Sequence, residues 1–198
     1  MLWTLLIAAL CYVIGSIPFP VIVSRLVRGI DLREHGSGNM GARNAARVLG
    51  KRWFPLVFGL DLAKGAAAAY LAQQLLPGLA GIDPVLAASI GGLMAVLGHC
   101  FPVLAGFKGG VGLAATGGAL LVLSWPLLLT ASTAILAGWA LARNVHVGVA
   151  MASLLYPLLG WYWLRLPWPV AALTVWGAVI FLLHWRDLSH RLTGKRAA

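Results

Sequence analysis

Residues 35–47 form a glycine-rich segment whose residue types suit the binding of a phosphate group. Glycine tolerates positive φ angles, which let a turn direct several backbone N–H groups at one anion. Ser37 and Asn39 add side chains that can form hydrogen bonds to such an anion. The glycines predicted to shape this turn are Gly36, Gly38 and Gly41.

The residues after this turn are predicted to form a short helix over 42–49 that ends at Gly50. A glycine turn that leads into a helix N-terminus is a favourable anion site. Arg43 and Arg47 lie four residues apart and therefore share one face of this helix. Taken alone, the loop has two interpretations: a phosphate site, or a flexible basic loop on anionic lipid headgroups.

A second glycine-rich segment, residues 98–112, again precedes a predicted helix and again carries a cation, Lys108. His99 lies beside the beginning of this segment, which favours a role in a site over a purely structural one. Tight turns also need glycine, so packing alone would explain one such segment. Two of them in one chain favour the handling of phosphate.

Asp61 and Lys64 are the only charged residues in the apolar run 53–77, and their i, i+3 spacing lets them face each other. Charged groups at that depth are costly and are usually functional or paired, and both interpretations apply here. The sequence offers no Ser-His-Asp or Cys-His arrangement, no paired carboxylates and no cluster of metal ligands. Any chemistry is therefore predicted to rely on positioning and charge stabilisation of an already activated substrate, with no metal and no cofactor.

The composition indicates what must position these residues. Hydrophobic residues make up 61% of the 198-residue chain and charged residues 10%, against about 45–50% and about 25% in soluble domains. So few charges exclude a soluble enzyme and a disordered tail protein. Cys11 and Cys100 suggest neither a disulfide nor a metal site and are predicted to be structural. We therefore expect one all-α integral-membrane domain over residues 1–198.

Seven transmembrane helices are predicted, forming one polytopic bundle. The long apolar run 113–142 is interrupted by Ser124-Trp125-Pro126, and because proline breaks the helical hydrogen-bond ladder we divide this run into two short spans. Six spans are the alternative if the run does not turn back. The first span, over 1–24, is followed by basic residues, whereas a cleaved signal peptide carries its basic residues before the apolar segment. The other predicted spans are Met1–Ser24, Trp53–Pro77, Pro84–Phe107, Val147–Leu164 and Trp168–Leu183.

The distribution of charge predicts the orientation in the membrane. With seven spans and the N-terminus outside, 13 of the 15 Lys and Arg residues are cytoplasmic, as the positive-inside rule requires. They are Arg25, Arg28, Arg33, Arg43, Arg47, Lys51, Arg52, Lys108, Arg143, Arg186, Arg191, Lys195 and Arg196. The C-terminus and both glycine turns are then on the cytoplasmic face of the inner (plasma) membrane. Because the basic residues flank spans, the net charge of +10 indicates a membrane partner and no nucleic acid.

Three motifs resemble those of the bacterial acyl-phosphate:glycerol-3-phosphate acyltransferases, small integral-membrane enzymes of phospholipid synthesis. They are Gly36-Ser37-Gly38-Asn39-x-Gly41-Ala42-x-Asn44-x-x-Arg47, then Leu60-Asp61-x-x-Lys64-Gly65, then Gly98-His99-x-Phe101-Pro102 with Phe107-Lys108-Gly109-Gly110-x-Gly112. The resemblance covers essentially the whole chain, including Leu192-Thr193-Gly194. It implies a seven-helix bundle with a cytoplasmic active site. The implied reaction transfers a fatty acyl group from acyl phosphate to the 1-hydroxyl of glycerol 3-phosphate, giving lysophosphatidate and phosphate.

The resemblance also implies which residues act on the two phosphorylated substrates. The implied catalytic residues are Ser37, Arg47, His99 and Lys108. The implied substrate- and phosphate-binding residues are Gly36, Gly38, Asn39, Gly41, Arg43, Asn44, Gly109, Gly110 and Gly112. The expected partners are acyl phosphate, glycerol 3-phosphate and membrane lipid, with the acyl chain in an apolar groove along the bundle.

The chain departs from the family pattern at several positions. Val111 stands where the family has a second lysine, and Ala115 and Arg43 stand where it has threonine. Trp185 and Leu188 stand near a His and an Asn of the family's tail. A lost cation at a transferring phosphate removes about 3–4 kcal/mol of transition-state stabilisation, unless Arg43 supplies that charge. The alternative function is a weak or inactive relative that binds a phosphorylated metabolite or lipid at the cytoplasmic face.

Overall fold

The computed structural model describes residues 1–165 and 167–192, without the side chains at 168, 169, 183, 184 and 186–192. Every regular element in these ranges is helical, which confirms the predicted all-α class. The α-helices are α1 (Leu2–Ser16), α2 (Phe19–Arg28), α3 (Ala42–Leu49), α4 (Phe54–Ala80), α5 (Pro84–Cys100), α6 (Leu113–Leu123), α7 (Trp125–Ala142), α8 (Val145–Leu164) and α9 (Pro167–Leu192). Short 3-10 turns cover Leu32–Glu34, Lys51–Trp53 and Val103–Ala105.

Five segments of the described chain are long and apolar enough to cross a membrane. They are Leu2–Arg28, Lys51–Ala80, Pro84–Ala105, Trp125–Ala142 and Val145–Leu164. Two shorter apolar helices, Leu113–Leu123 and Val170–Leu182, accompany them. The 11 residues of α6 extend for only about 16 Å, roughly half of the hydrocarbon core of a bilayer. The helices thus fit a membrane protein, while the seven separate spans stay a prediction.

The interruption predicted within residues 113–142 is present. α6 ends at Leu123 and α7 begins at Trp125, with Ser124 between them in an extended conformation. The Ser124 hydroxyl accepts a hydrogen bond from the Leu127 N–H at 3.4 Å and so caps the new helix. Pro126 lies in the first turn of α7, where its missing N–H leaves no helical bond unmade.

The predicted span Met1–Ser24 lies within the candidate membrane span Leu2–Arg28, but it consists of two helices instead of one. The chain leaves the helix at Ile17 and re-enters it at Phe19, because Pro18 has no N–H and its ring disfavours a helical residue before it. α2 is amphipathic: Val21 and Val23 are buried, whereas Arg25 is exposed. This break matters because α2 leads directly into the loop that carries the first glycine turn.

The chain divides into two compact units, Met1–Val122 and Leu123–Ala198. In the first unit α1, α4 and α5 pack against one another, and glycines at their crossings bring the backbones into contact. Gly15 lies against the backbone of Ala95, and Gly65 lies against that of Ala115 at the start of α6. Small residues at helix crossings are typical of packing in lipid, where close van der Waals contact drives association. Cys11 and Cys100 are both buried, which fits the structural role predicted for them.

The second unit, considered by itself, stacks α8 against both α7 and α9. Gly148 on α8 lies against the backbone of α7 at Ile135, and Gly177 on α9 lies against Ser153. Tyr156 and Trp176 are fully buried and fill the centre of this unit. The glycines again act in packing.

Candidate active site

The loop between α2 and α4 carries the first glycine turn and has its own apolar core. Leu32, Ala45 and Leu49 are buried together with Met40, and the cluster extends to Val57 on α4. Burial of such side chains stabilises the loop by about 1.5–3 kcal/mol for each large residue. The loop is therefore a folded part of the first unit, which disagrees with the alternative of a flexible basic segment.

The first turn has the predicted backbone at two of its three glycines. Gly36 and Gly38 adopt φ angles of +66° and +72°, a region that strains other residues. Gly41 does not adopt a positive φ, since its φ is −138° and it is the extended N-cap of α3, while its role in binding phosphate stays a prediction. The predicted helix is confirmed at Ala42–Leu49, and it ends at Gly50 with φ +111°.

The side chain of Asn44 holds the first turn together from beneath. Its Oδ1 accepts the Ser37 N–H at 2.9 Å, while its Nδ2 donates to the carbonyl oxygens of Leu32 at 3.2 Å and His35 at 3.0 Å. Asn44 is buried, and the Cα of Gly36 lies directly against its amide. The described geometry gives Asn44 three bonds to the loop backbone, so its effect on a ligand is exerted through the shape of the turn.

A second brace connects this loop to the loop after α5. Asp31 accepts hydrogen bonds from Arg33 at 2.7 and 2.9 Å. It also forms an ion pair with Arg25 at 2.8 Å. Arg33 also donates to the carbonyl oxygen of Ala105 at 3.1 Å. The hydrogen-bonded Arg33 guanidinium holds the pKa of the Asp31 carboxyl well below its usual range. The carboxylate is thus ionised at physiological pH, and this brace stays intact there.

The second glycine turn meets the first at Gly110. Its N–H donates to the carbonyl oxygen of His99 at 3.1 Å, and its Cα lies against the Nε2 side of the His99 ring. A methyl group added at Gly110 would overlap that ring and approach the carbonyl oxygen of Met40 to 2.8 Å. Met40 lies two residues before α3, and Gly110 lies three residues before α6. The N-termini of two helices are therefore brought together at one contact.

Three buried ionisable groups lie next to this contact. Lys64 Nζ lies 2.9 Å from Asp61 Oδ1, and the same oxygen lies 3.5 Å from Nδ1 of His99. Lys64 also donates to the carbonyl oxygen of Ile17 at 2.8 Å, where the first apolar run breaks. The predicted pairing of Asp61 with Lys64 is confirmed, and the contacts to His99 and Ile17 were not predicted.

Residues 5–194 match the sequence profile of a family described as glycerol-3-phosphate acyltransferase. The chain belongs to this family. A glycerol-3-phosphate acyltransferase of Jannaschia sp. (strain CCS1) is 40% identical over 190 residues, which cover 96% of this chain and 90% of the relative. One of Bacillus velezensis is 40% identical over 180 residues, covering 90% and 89%. The family inferred from the three motifs is confirmed.

A solved relative extends the comparison to the fold. The crystal structure of PlsY (YgiH), an integral membrane glycerol 3-phosphate acyltransferase, in its glycerol 3-phosphate form matches with a TM-score of 0.82 and 31% identity. The match covers 98% of this chain and 94% of that one. The lysophosphatidic acid form matches with a TM-score of 0.80. This chain thus shares the helical fold of that integral-membrane enzyme.

The predicted site residues of this acyltransferase homologue fall into two groups. The side chains of Ser37, Arg43, Arg47 and Lys108 are exposed around the two turns, and Asn39 is half-buried. Asn44 and His99 are buried and contact the backbone of the turns. Gly112 has φ +81° and leads into α6. Gly109 lies against the carbonyl oxygens of His99 and Cys100, so a side chain there would displace the turn.

Some residues that build the site were not singled out from the sequence. Arg33 was counted only for its charge, although its i, i+2 spacing from Asp31 was a local signal for a brace. Tyr12 on α1 donates to the carbonyl oxygen of Phe101 at 2.6 Å, which no sequence signal indicated. Trp185 is exposed on α9, while the side chain of Leu188 and residues 193 and 194 lie outside the described part of the chain. Within that part, no three His, Cys, Asp or Glu residues could hold a metal ion.

Proposed function

We propose that this protein transfers a fatty acyl group from acyl phosphate to the 1-hydroxyl of glycerol 3-phosphate. The glycerol oxygen bonds to the acyl carbon, and the bond from that carbon to the phosphate oxygen breaks, with its electron pair going to phosphate. The hydroxyl proton leaves with the phosphate, so the products are lysophosphatidate and inorganic phosphate. Relatives named as glycerol-3-phosphate acyltransferases, aligned over 90% and 89% of their length, support this enzyme activity over the non-catalytic alternative.

The contact between Gly110 and Met40 is the observation that carries the proposal. Each helix N-terminus presents unpaired backbone N–H groups and a partial positive charge. α3 and α6 both begin within three residues of this contact. Acyl phosphate and glycerol 3-phosphate each carry a phosphate group, so two adjoining anion sites can hold the reacting hydroxyl beside the acyl carbon. Orientation of this kind is worth several kcal/mol of the reaction barrier.

Roles for the predicted site residues follow from their exposure. Ser37, Arg47 and Lys108 are exposed, and we assign them to phosphate and to charge developing in transfer, with Arg43 as a further cation. The backbone donors are assigned to the first turns of α3 and α6, because the N–H groups of Ser37 and Gly110 are already bonded to Asn44 and His99. His99 and Asn44 then act from within the protein, by holding these turns in shape. A mixed anhydride already carries a good leaving group, so no nucleophilic side chain is needed.

The membrane arrangement is part of the proposal. We propose a single domain with seven spans in the inner membrane, the N-terminus outside and the C-terminus cytoplasmic, and the acyl chain in an apolar groove. The charge distribution supports this orientation, since 13 of 15 basic residues then lie inside. An impermeant thiol reagent should label a Ser37→Cys variant only from the cytoplasmic side, because the native Cys11 and Cys100 are buried. Labelling from outside would contradict the orientation.

The activity is tested with purified protein in detergent, acyl phosphate and labelled glycerol 3-phosphate. We expect lysophosphatidate to form with release of one phosphate for each ester made. Unphosphorylated glycerol is the matched control acceptor, and we expect little product from it because it leaves one anion site empty. Absence of lysophosphatidate above background would contradict the enzyme activity, and binding of glycerol 3-phosphate without turnover would favour the non-catalytic alternative.

Val111→Lys is expected to raise kcat by at least about 10-fold, and by about 100-fold if the new ammonium is held as rigidly as a preorganised donor at a developing charge. Val111 is half-buried between Gly110 and Gly112, in the turn assigned to phosphate. Val111→Met is the control for side-chain length without charge, and we expect it to leave the rate unchanged. An unchanged or lower rate in Val111→Lys would show that a cation at this position is not what the reaction lacks.

A further inference from the structure

We propose that the buried ion pair of Asp61 and Lys64 is a positioning element, which sets the spacing of the two glycine turns and thereby the rate of acyl transfer. The inference rests on the proposed function for its effect on rate. The contacts of the pair do not depend on that function. Lys64 contacts Ile17, which precedes α2 and the first loop, and Asp61 contacts His99, which precedes the second loop. Each half of the pair makes a contact outside the pair, and the two contacts lead to different turns.

Lys64 holds the approach to the first turn. Its ammonium donates to the carbonyl oxygen of Ile17 at 2.8 Å, at the C-terminal end of α1, where a cation is favoured by the helix dipole. The ammonium also lies 5.8 Å from the centre of the Phe19 ring in the first turn of α2. α2 in turn holds the first loop, since Arg28 donates to the carbonyl oxygen of Val48 at 2.7 Å.

Asp61 holds the second turn. Its Oδ1 lies 3.5 Å from Nδ1 of His99, so the carboxylate lies against one edge of the imidazole ring. The opposite edge of that ring, at Nε2, lies against Gly110. The His99 carbonyl oxygen also accepts the Gly110 N–H at 3.1 Å. A shift of Asp61 would therefore be transmitted to Gly110 through both the ring and the backbone of one residue.

The alternative role for this pair is self-neutralisation, in which the two charges only cancel each other. The side chains of Asp61 and Lys64 are 2% and 3% exposed, and such burial is expensive for charged groups. Self-neutralisation requires no further partner, whereas this pair also contacts His99 and Ile17. The two roles predict different behaviour when both charges are removed together.

The decisive variant is Asp61→Leu/Lys64→Met, which removes both charges and keeps the volume. Replacement of a buried pair by apolar residues is often neutral for stability, so we expect a melting temperature within a few degrees of wild type. Lost positioning should lower kcat by about 100-fold, with KM for glycerol 3-phosphate changed less than 3-fold. Asp61→Asn/Lys64→Met keeps an acceptor for His99 and should lose only about 10-fold. Tyr70→Phe, exposed on the same helix, is the control expected to match wild type.

A measurement without turnover separates this inference from the proposed function. Spin labels on Ser37→Cys and Lys108→Cys report the distance between the turns, and both sites are exposed. We expect that distance distribution to broaden in Asp61→Leu/Lys64→Met and to stay narrow in Tyr70→Phe. An unchanged distribution would overturn the inference, even for an inactive wild type, and so would wild-type kcat in the double variant. If that variant does not fold, Asp61→Asn/Lys64→Met takes its place in both measurements.

Discussion

Gly110→Ala is expected to lower kcat/KM for glycerol 3-phosphate by at least about 100-fold, because a displacement near 1 Å between reacting groups has an effect of that size. The added methyl group would overlap Nε2 of His99 and lie 2.8 Å from the Met40 carbonyl oxygen. Neither neighbour has room to yield, since both residues are buried. The two turns must therefore move apart, and overpacking of this kind destabilises a core by about 1–3 kcal/mol.

The loss is measured by steady-state kinetics with acyl phosphate, together with the melting temperature in detergent. Gly59→Ala is the matched control, because Gly59 lies in α4 with no atom within 4 Å of an added methyl group. We expect wild-type activity there and equal or higher stability, since alanine favours a helix over glycine by about 0.5–1 kcal/mol. Full activity in Gly110→Ala would show that the two turns do not act at this contact.

Local sequence patterns were sufficient to predict each glycine turn, but not how the turns meet. The spacing of Gly36 and Gly38 before a helix, and of Gly109 to Gly112 before another, indicated two anion sites. The contact between Met40 and Gly110 joins residues 70 positions apart, and it depends on the crossing of α1, α4 and α5. The charge distribution predicted that both turns lie on one membrane face, but it did not predict the distance between them.

The residue types also left the direction of each side chain open. Asn44 and His99 stand in the same motifs as Ser37 and Lys108, yet the first two point into the protein and the others are exposed. A polar side chain in a glycine-rich loop can serve a ligand or the loop backbone, and composition does not separate these uses. Burial separates them, because buried polar groups must find hydrogen-bond partners within the fold.

The break in the first apolar run has a physical origin in the sequence. Hydropathy alone treats Met1–Ser24 as continuous, but Pro18 and Pro20 remove two N–H groups from its ladder. The same reasoning correctly divided 113–142 at Pro126. The break frees the Ile17 carbonyl oxygen for Lys64. Lys64 in the second predicted span thus donates a hydrogen bond to a carbonyl oxygen at the proline break in the first span.

Asn44→Asp is expected to lower kcat/KM by about 100-fold and stability by about 3 kcal/mol, because buried carbonyl oxygens that lose a donor are costly. The substitution keeps the acceptor for the Ser37 N–H but removes the donor to the carbonyl oxygens of Leu32 and His35. It also sets a negative charge against those two oxygens and beside the assigned phosphate site. The measurements are kinetics with acyl phosphate and the melting temperature in detergent.

Asn144→Asp is the matched control for this change of amide to carboxylate. Asn144 caps α8 and only accepts a hydrogen bond, from the His146 N–H at 2.9 Å, and aspartate is an equally good cap there. We expect wild-type behaviour from it. In Asn44→Asp, protonation of the new carboxyl at low pH restores one donor, so activity relative to wild type should rise toward acid. A variant that is fully active at neutral pH would show that the first turn does not need its brace, and a deficit independent of pH would point to lost shape rather than the missing donor.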